Sequence, residues 1–332
     1  MNASLFALLA VSVVACAETA PPTRPTRAVP PPRASGASPP APAPSSTSPA
    51  SRGEPPLPAS ALGAERVLDA RVRSIAFGKK RMAALGDEAF IDVGQGFEKM
   101  PHPPAPLDKV EIYFGRDDWP RLMGAGETAT ASTYLRFKQG AWKQADYELG
   151  KLGADSGGPL FGVLGHADPE VVCKAEGCIV KRLTGWTPID APAPFVRVVL
   201  AGDATFAFEG AAVWSLTATG FVALPGPKPS FERADALFAL GPDRIWVAEH
   251  GTGKLHLFDG HAWTASMSPI RGPRGLYADS KDSVYVVGDG GAAHFERGEW
   301  SAIPGIEGAL TVAARSPTEV FVGAGRGLYR LR

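Results

Sequence analysis

Toward its C-terminus this chain repeats one order of short apolar runs and turns, and that order constrains its fold more than any other feature. The clearest copy runs Ala236–Leu240, a polar turn over 241–244, Ile245–Ala248, a glycine turn over 251–253, Lys254–Phe258, then Gly260 and Trp263. The next runs Gly275–Ala278, a turn over 280–282, Val284–Val287, Gly290-Gly291, Ala293–Phe295, then Gly298 and Trp300. Another runs Ala309–Val312, 316–318, Val320–Val322, Gly325 to Gly327 and Leu328–Leu331, and lacks the closing aromatic. The glycine-plus-aromatic mark also occurs at Phe97, Trp142, Trp186 and Phe221, although the copies over 107–190 are irregular. Helical spacing of i, i+3, i+4 does not persist beyond one or two turns.

Each copy reads as a small sheet, and the copies recur at roughly 35–45 residues, the period of a four-stranded propeller blade. Such a sheet has apolar faces on both sides and is stable only when stacked between neighbours. The expectation is an all-β domain over 62–332, a β-propeller with the recurrent aromatics filling the wedges between blades. Six complete copies and a truncated last one predict seven blades, with six or eight left open by the irregular region. Glu65–Val72 precedes the first copy as a spare strand, and pairing it with the last copy would close the ring and remove an exposed edge. The pattern resembles bacterial propeller repeats of the regulator-propeller, NHL and YVTN type. It contains no Trp-Asp at blade ends, no clear Kelch Gly-Gly and no Asp box; the missing Asp box argues against a sialidase.

Ahead of the repeats, Leu5–Ala15 is an apolar run of eleven residues, too short to span a bilayer as a helix. It ends in Val13-Val14-Ala15-Cys16 and resembles the signal peptide of bacterial lipoproteins. The resemblance implies cleavage after residues 1–15 and lipidation of Cys16, anchoring the chain to a membrane through its N-terminal lipid. Ala17 follows Cys16, which points to the outer membrane, on its periplasmic or outer side. Residues 1–6 carry no Lys or Arg, a departure from the usual positive start, and ordinary secretion with cleavage near Ala17 is the alternative. Residues 16–61 are dominated by Pro, Ala, Ser and Thr, which cannot bury enough surface to offset ordering entropy. They read as a disordered tether, extended by its prolines to a reach of up to about 100 Å.

Cys173 and Cys178 are the cysteines left once Cys16 is set aside. They flank Lys174–Gly177 between Val171-Val172 and Ile179-Val180, so a four-residue hairpin turn would bring them within bridging range. A disulfide suits an envelope compartment. Cys-x-x-Cys redox spacing is absent, as is a second Cys/His pair for a metal site.

No catalytic residue is assigned. Ala154-Asp155-Ser156-Gly157-Gly158-Pro159-Leu160 resembles the nucleophile segment of trypsin-like proteases, but upstream the chain offers only His102, between prolines. Propeller lactonases use channel-facing Glu, Asn and Asp around calcium, whereas the sole asparagine here is Asn2. Tryptophan docking motifs of quinone-dependent propellers are not visible. Lysines plus arginines equal aspartates plus glutamates at 34 each, and no basic stripe is present, so nucleic acid is not an expected partner.

In a propeller the turn between the second and third strands of each blade opens on the face where the blades connect, and loops on a rigid scaffold tend to carry function. The candidates for that face are Asp92 with Gln95, Glu127, Lys174 with Glu176, Glu209, Glu249 with His250, Asp289 and Arg326. A ring of mostly carboxylates there suits a cation or cationic ligand, although polar tips also suit any soluble hairpin. The expected function is non-catalytic binding of a protein, peptide or glycan by an envelope lipoprotein, without a cofactor. The alternative is a calcium-assisted hydrolase or lyase in the channel, using Glu249, His250 and Asp289.

Overall fold

Apolar side chains occupy both alternations of the middle strands, so each sheet must be covered on both faces. The computed structural model describes residues 62–115, 117–125, 132–144, 161–163, 170–174, 177–182, 185–193, 195, 197–201, 204–209, 212–224, 234–249, 251–280 and 282–332. They form seven four-stranded antiparallel sheets, the blades of a β-propeller. Cys16, the signal segment and the tether over 16–61 lie outside the described residues.

Strand β1 (Ala64–Leu68) comes first and belongs to the last blade. Blade 1 holds β2 (Val72–Phe77), β3 (Met82–Gly86), β4 (Ala89–Asp92) and β5 (Phe97–Lys99). Blade 2 holds β6 (Val110–Phe114), β7 (Pro120–Ala125), β8 (Ser132–Lys138) and β9 (Ala141–Gln144). Blade 3 holds β10 (Phe161–Val163), β11 (Val171–Lys174), β12 (Gly177–Arg182) and β13 (Gly185–Asp190). Blade 4 holds β14 (Arg197–Ala201), β15 (Ala204–Glu209), β16 (Ala212–Leu216) and β17 (Phe221–Ala223). Blade 5 holds β18 (Ala234–Gly241), β19 (Arg244–Glu249), β20 (Lys254–Phe258) and β21 (Trp263–Met267). Blade 6 holds β22 (Pro273–Ser280), β23 (Ser283–Gly288), β24 (Gly291–Glu296) and β25 (Glu299–Ile303). Blade 7 holds β26 (Ala309–Ser316), β27 (Glu319–Ala324) and β28 (Gly327–Leu331), with β1 as its fourth strand.

Ring closure follows the expected pairing, in a shorter strand. Ala64 faces Leu331 and Leu68 faces Leu328. Gly63 and Arg332 exchange both backbone hydrogen bonds, at 2.9 and 3.0 Å. The spare strand stops at Leu68 because Val72 already pairs with Gly86 as the first residue of blade 1.

The described core falls into seven apolar clusters, one in each wedge between adjacent blades. Alternation along one strand feeds two wedges. On β19, Ile245 and Val247 face blade 4 while Trp246 and Ala248 face blade 6. Phe137–Trp142, Phe258–Trp263 and Phe295–Trp300 are cross-strand pairs with centroids 5.2 Å apart, repeated in blades 2, 5 and 6. Each such pair adds about 1 kcal/mol beyond the area it buries.

Cys173 and Cys178 form a disulfide between directly opposed residues of β11 and β12, with α-carbons 4.0 Å apart. Lys174 pairs with Gly177, so the strands run further than the expected four-residue turn allows.

Candidate functional site

The inner strand of most blades contributes to one cavity of about 460 Å3 on the propeller axis. Its charged lining is Arg73, Glu111, Arg197, Asp235 and Arg274, from blades 1, 2, 4, 5 and 6. Blade 7 contributes Leu310 at the corresponding place.

A recurrent irregularity aims Arg73, Asp235 and Arg274, whereas Glu111 and Arg197 keep regular register with Met123 and Phe208. Val72 faces Gly86 while Ser74 faces Leu85, so Arg73 has no partner on β3. The register of β18 on β19 skips Asp235, that of β22 on β23 skips Arg274, and that of β26 on β27 skips Leu310. Such β-bulges turn one side chain out of the regular alternation. Glycine ends the adjoining strand in blades 1 and 6. A Cβ on Gly86 would sit 1.7 Å from the Arg71 carbonyl oxygen, and one on Gly288 would sit 2.2 Å from that of Gly272.

Hydrogen bonds order part of the wall. The Tyr113 hydroxyl donates to Glu111 Oε2 at 2.7 Å. Burial, then the adjacent Glu111 charge, pushes the Tyr113 pKa well above the ordinary phenol value. Arg73 Nη2 donates to the Val110 carbonyl. Burial lowers the Arg73 pKa, against the raising influence of Glu111 and Asp108. Arg274 lies 2.8 Å from Asp289.

Five of the ten expected loop-face residues lie at this end of the blades. Lys174 and Glu209 end second strands, and Glu249 does the same in blade 5. Asp289 and Arg326 lie in the β23–β24 and β27–β28 turns. Asp92 does not belong with them. It ends β4, and its carboxylate accepts from the Gly94 amide at 2.8 Å, so Asp92 and Gln95 shape the turn between third and fourth strands on the opposite edge. The misplacement arises because blade 1 makes its second turn early, at Asp87-Glu88. Glu127, Glu176 and His250 lie outside the described residues.

Glu249 and Arg326 have separate local partners. Glu249 Oε2 lies 3.0 Å from Nε2 of buried His256, and that hydrogen bond lowers the Glu249 pKa. Arg326 forms an exposed pair with Glu307 at 3.7 Å. Among the described residues, no three His, Cys, Asp or Glu side chains converge as metal ligands would.

A serine–histidine contact lies away from the cavity. Ser283 Oγ is 2.9 Å from His294 Nε2, and Tyr285 stacks on that imidazole at 4.3 Å. Burial lowers the His294 pKa, favouring the neutral ring. His294 and Tyr285 are both buried within blade 6, and neither lines the channel.

The channel residues Arg73, Glu111, Arg197, Asp235 and Arg274 escaped the sequence reading, which looked to turns. Their signal is a charge near the start of five of the inner strands, beside apolar neighbours.

Neither a protein-family model nor a curated protein sequence matches the chain. Among solved structures it is similar to a streptogramin B lyase, with TM-score 0.63 and 13% identity, covering 82% of this chain and 97% of that one. It is similar to a virginiamycin B lyase from Staphylococcus aureus, with TM-score 0.59 and 13% identity, covering 81% and 98%. YCF48 bound to D1 peptide gives TM-score 0.58 and 16% identity, covering 83% and 98%. At these identities the likeness is one of fold: the chain contains a seven-bladed β-propeller.

Proposed function

We propose that this chain is an envelope lipoprotein, anchored through Cys16 to the outer membrane, whose propeller binds a protein, peptide or glycan without catalysis. The observation that carries the reading is the convergence of five charged side chains, fixed on inner strands, in one cavity at the face where the blades connect. Rigid strands hold such groups without a large ordering cost on binding. The loops around them offer contact area for a larger ligand. A propeller of similar fold bound to a peptide agrees with this use of the architecture.

Site-specific photocrosslinking in intact cells tests the binding role. A crosslinking residue at Asp289 should yield a discrete adduct that the same residue at Val222, exposed on an outer strand, does not. Equal adducts from both positions, or none from Asp289, would overturn this face as the binding surface. Cys16→Ser should move the chain from the membrane to the soluble fraction; an unchanged distribution would remove the anchor. Calcium titration separates the competing metal-assisted reading. Tight binding lost in Glu249→Ala and Asp289→Ala, with hydrolysis or elimination of a test substrate, would replace the binding role.

A further inference from the structure

Two of the three channel arginines lack a carboxylate within ion-pair distance among the described residues. Arg274 is held by Asp289, whereas Arg73 and Arg197 form no such pair. The acid one blade from Arg73, Glu111, instead accepts the Tyr113 hydroxyl proton. Arg73 is further constrained. Its Nη2 is committed to the Val110 carbonyl, while its Nε is buried with no hydrogen-bond partner. Burying a cation without a countercharge is unfavourable, as is leaving its donor unmade. A guanidinium also presents a planar fork that matches carboxylate and phosphate oxygens.

We infer that the channel is an oxyanion site, in which a carboxylate or phosphate group lies between the guanidinium groups of Arg73 and Arg197. Blades 1 and 4 present these side chains from well-separated parts of the ring, so a group on the axis can meet both. Glu111 and Asp235 on the same wall disfavour a polyanion and leave a compact mono- or dianion as the fit. The cavity volume of about 460 Å3 is that of a small-molecule site. Arg73 also lines a groove of about 440 Å3 between blades 1 and 2, beside Arg71 and His102. The remainder of a ligand therefore has a path across Arg73 and out of the channel. This inference goes beyond the proposed binding role and does not require a macromolecular partner.

Calorimetric titration of the full chain with inorganic phosphate, and separately with succinate, at constant ionic strength tests it. Saturable binding of either probe above a chloride control is expected, and the probe that binds identifies the phosphate or carboxylate preference. Arg73→Gln and Arg197→Gln should each weaken binding about tenfold or more. Arg297→Gln, an exposed turn residue between β24 and β25, should leave it unchanged. Absence of saturable binding for both probes, or an equal loss in Arg297→Gln, would overturn the site. Circular dichroism checks folding. If Arg73→Gln unfolds, Arg197→Gln decides alone, since no hydrogen bond of its side chain is lost; retained binding there would also overturn the site. Failure here leaves the photocrosslinking result standing, so the two readings fall separately.

Discussion

Asp289, at the β23–β24 turn, reaches back 2.8 Å to Arg274 on the bulge of its own blade. A loop-face carboxylate thus offsets one of the charges lining the channel. Both side chains are more than half exposed, and pairs of that kind contribute at most about 1 kcal/mol. Asp289→Ala should leave the denaturant midpoint nearly unchanged. It should raise phosphate or succinate affinity severalfold by releasing Arg274, as read by the same calorimetry.

Leu328 is fully buried where the last blade meets the first, and it faces Leu68 on the closing strand. Leu328→Ala should reduce unfolding free energy by about 3 kcal/mol, measured by denaturant titration. Deleting residues 62–68 should cost more, because it also exposes the hydrogen-bonding edge of β28. An unaffected deletion variant would show that closure contributes little to stability.

The Cys173–Cys178 bridge closes a short loop between two buried side chains. Cross-linking so few residues contributes about 2 kcal/mol in the chain-entropy account. The Cys173→Ala/Cys178→Ala double variant should melt several degrees lower by calorimetry, without loss of the β-sheet circular dichroism signal.

Tyr285 has a pKa raised to about 12, first by burial and then by the charge of Asp279. The unfolded chain releases this proton near pH 10, whereas the folded chain retains it to about pH 12. Over that interval the native state binds more protons, so stability falls as pH rises. The contribution is fully present below pH 10 and amounts to about 2 to 3 kcal/mol. Tyr285→Phe should flatten the decline between pH 10 and 12 in equilibrium unfolding. Persistence of the full slope would assign the alkaline sensitivity elsewhere, with partly buried Tyr113 the next candidate.

Much of the scaffold was readable from local order. Trp263 and Trp300 marked outer strands: Trp263 begins β21 and Trp300 is the second residue of β25. The Glu65–Val72 segment announced ring closure, although only Ala64–Leu68 carries it. The site was less legible. Asp92 looked like a loop-face carboxylate because turn tips are alike in sequence, yet it shapes a turn on the opposite edge. Glu249 drew attention with its neighbour His250, but it bonds His256 across the hairpin. Arg73 passed unnoticed because a charge beside apolar strand residues looks like ordinary outward alternation.

Repetition and alternation by themselves determined that the chain makes short two-faced sheets stacked in a ring, because a sheet apolar on both sides has few other stable surroundings. Only the tertiary structure decided which charges meet. Register slips of a single residue turn Arg73, Asp235 and Arg274 toward the axis, and residues far apart in the chain become neighbours only when the ring closes.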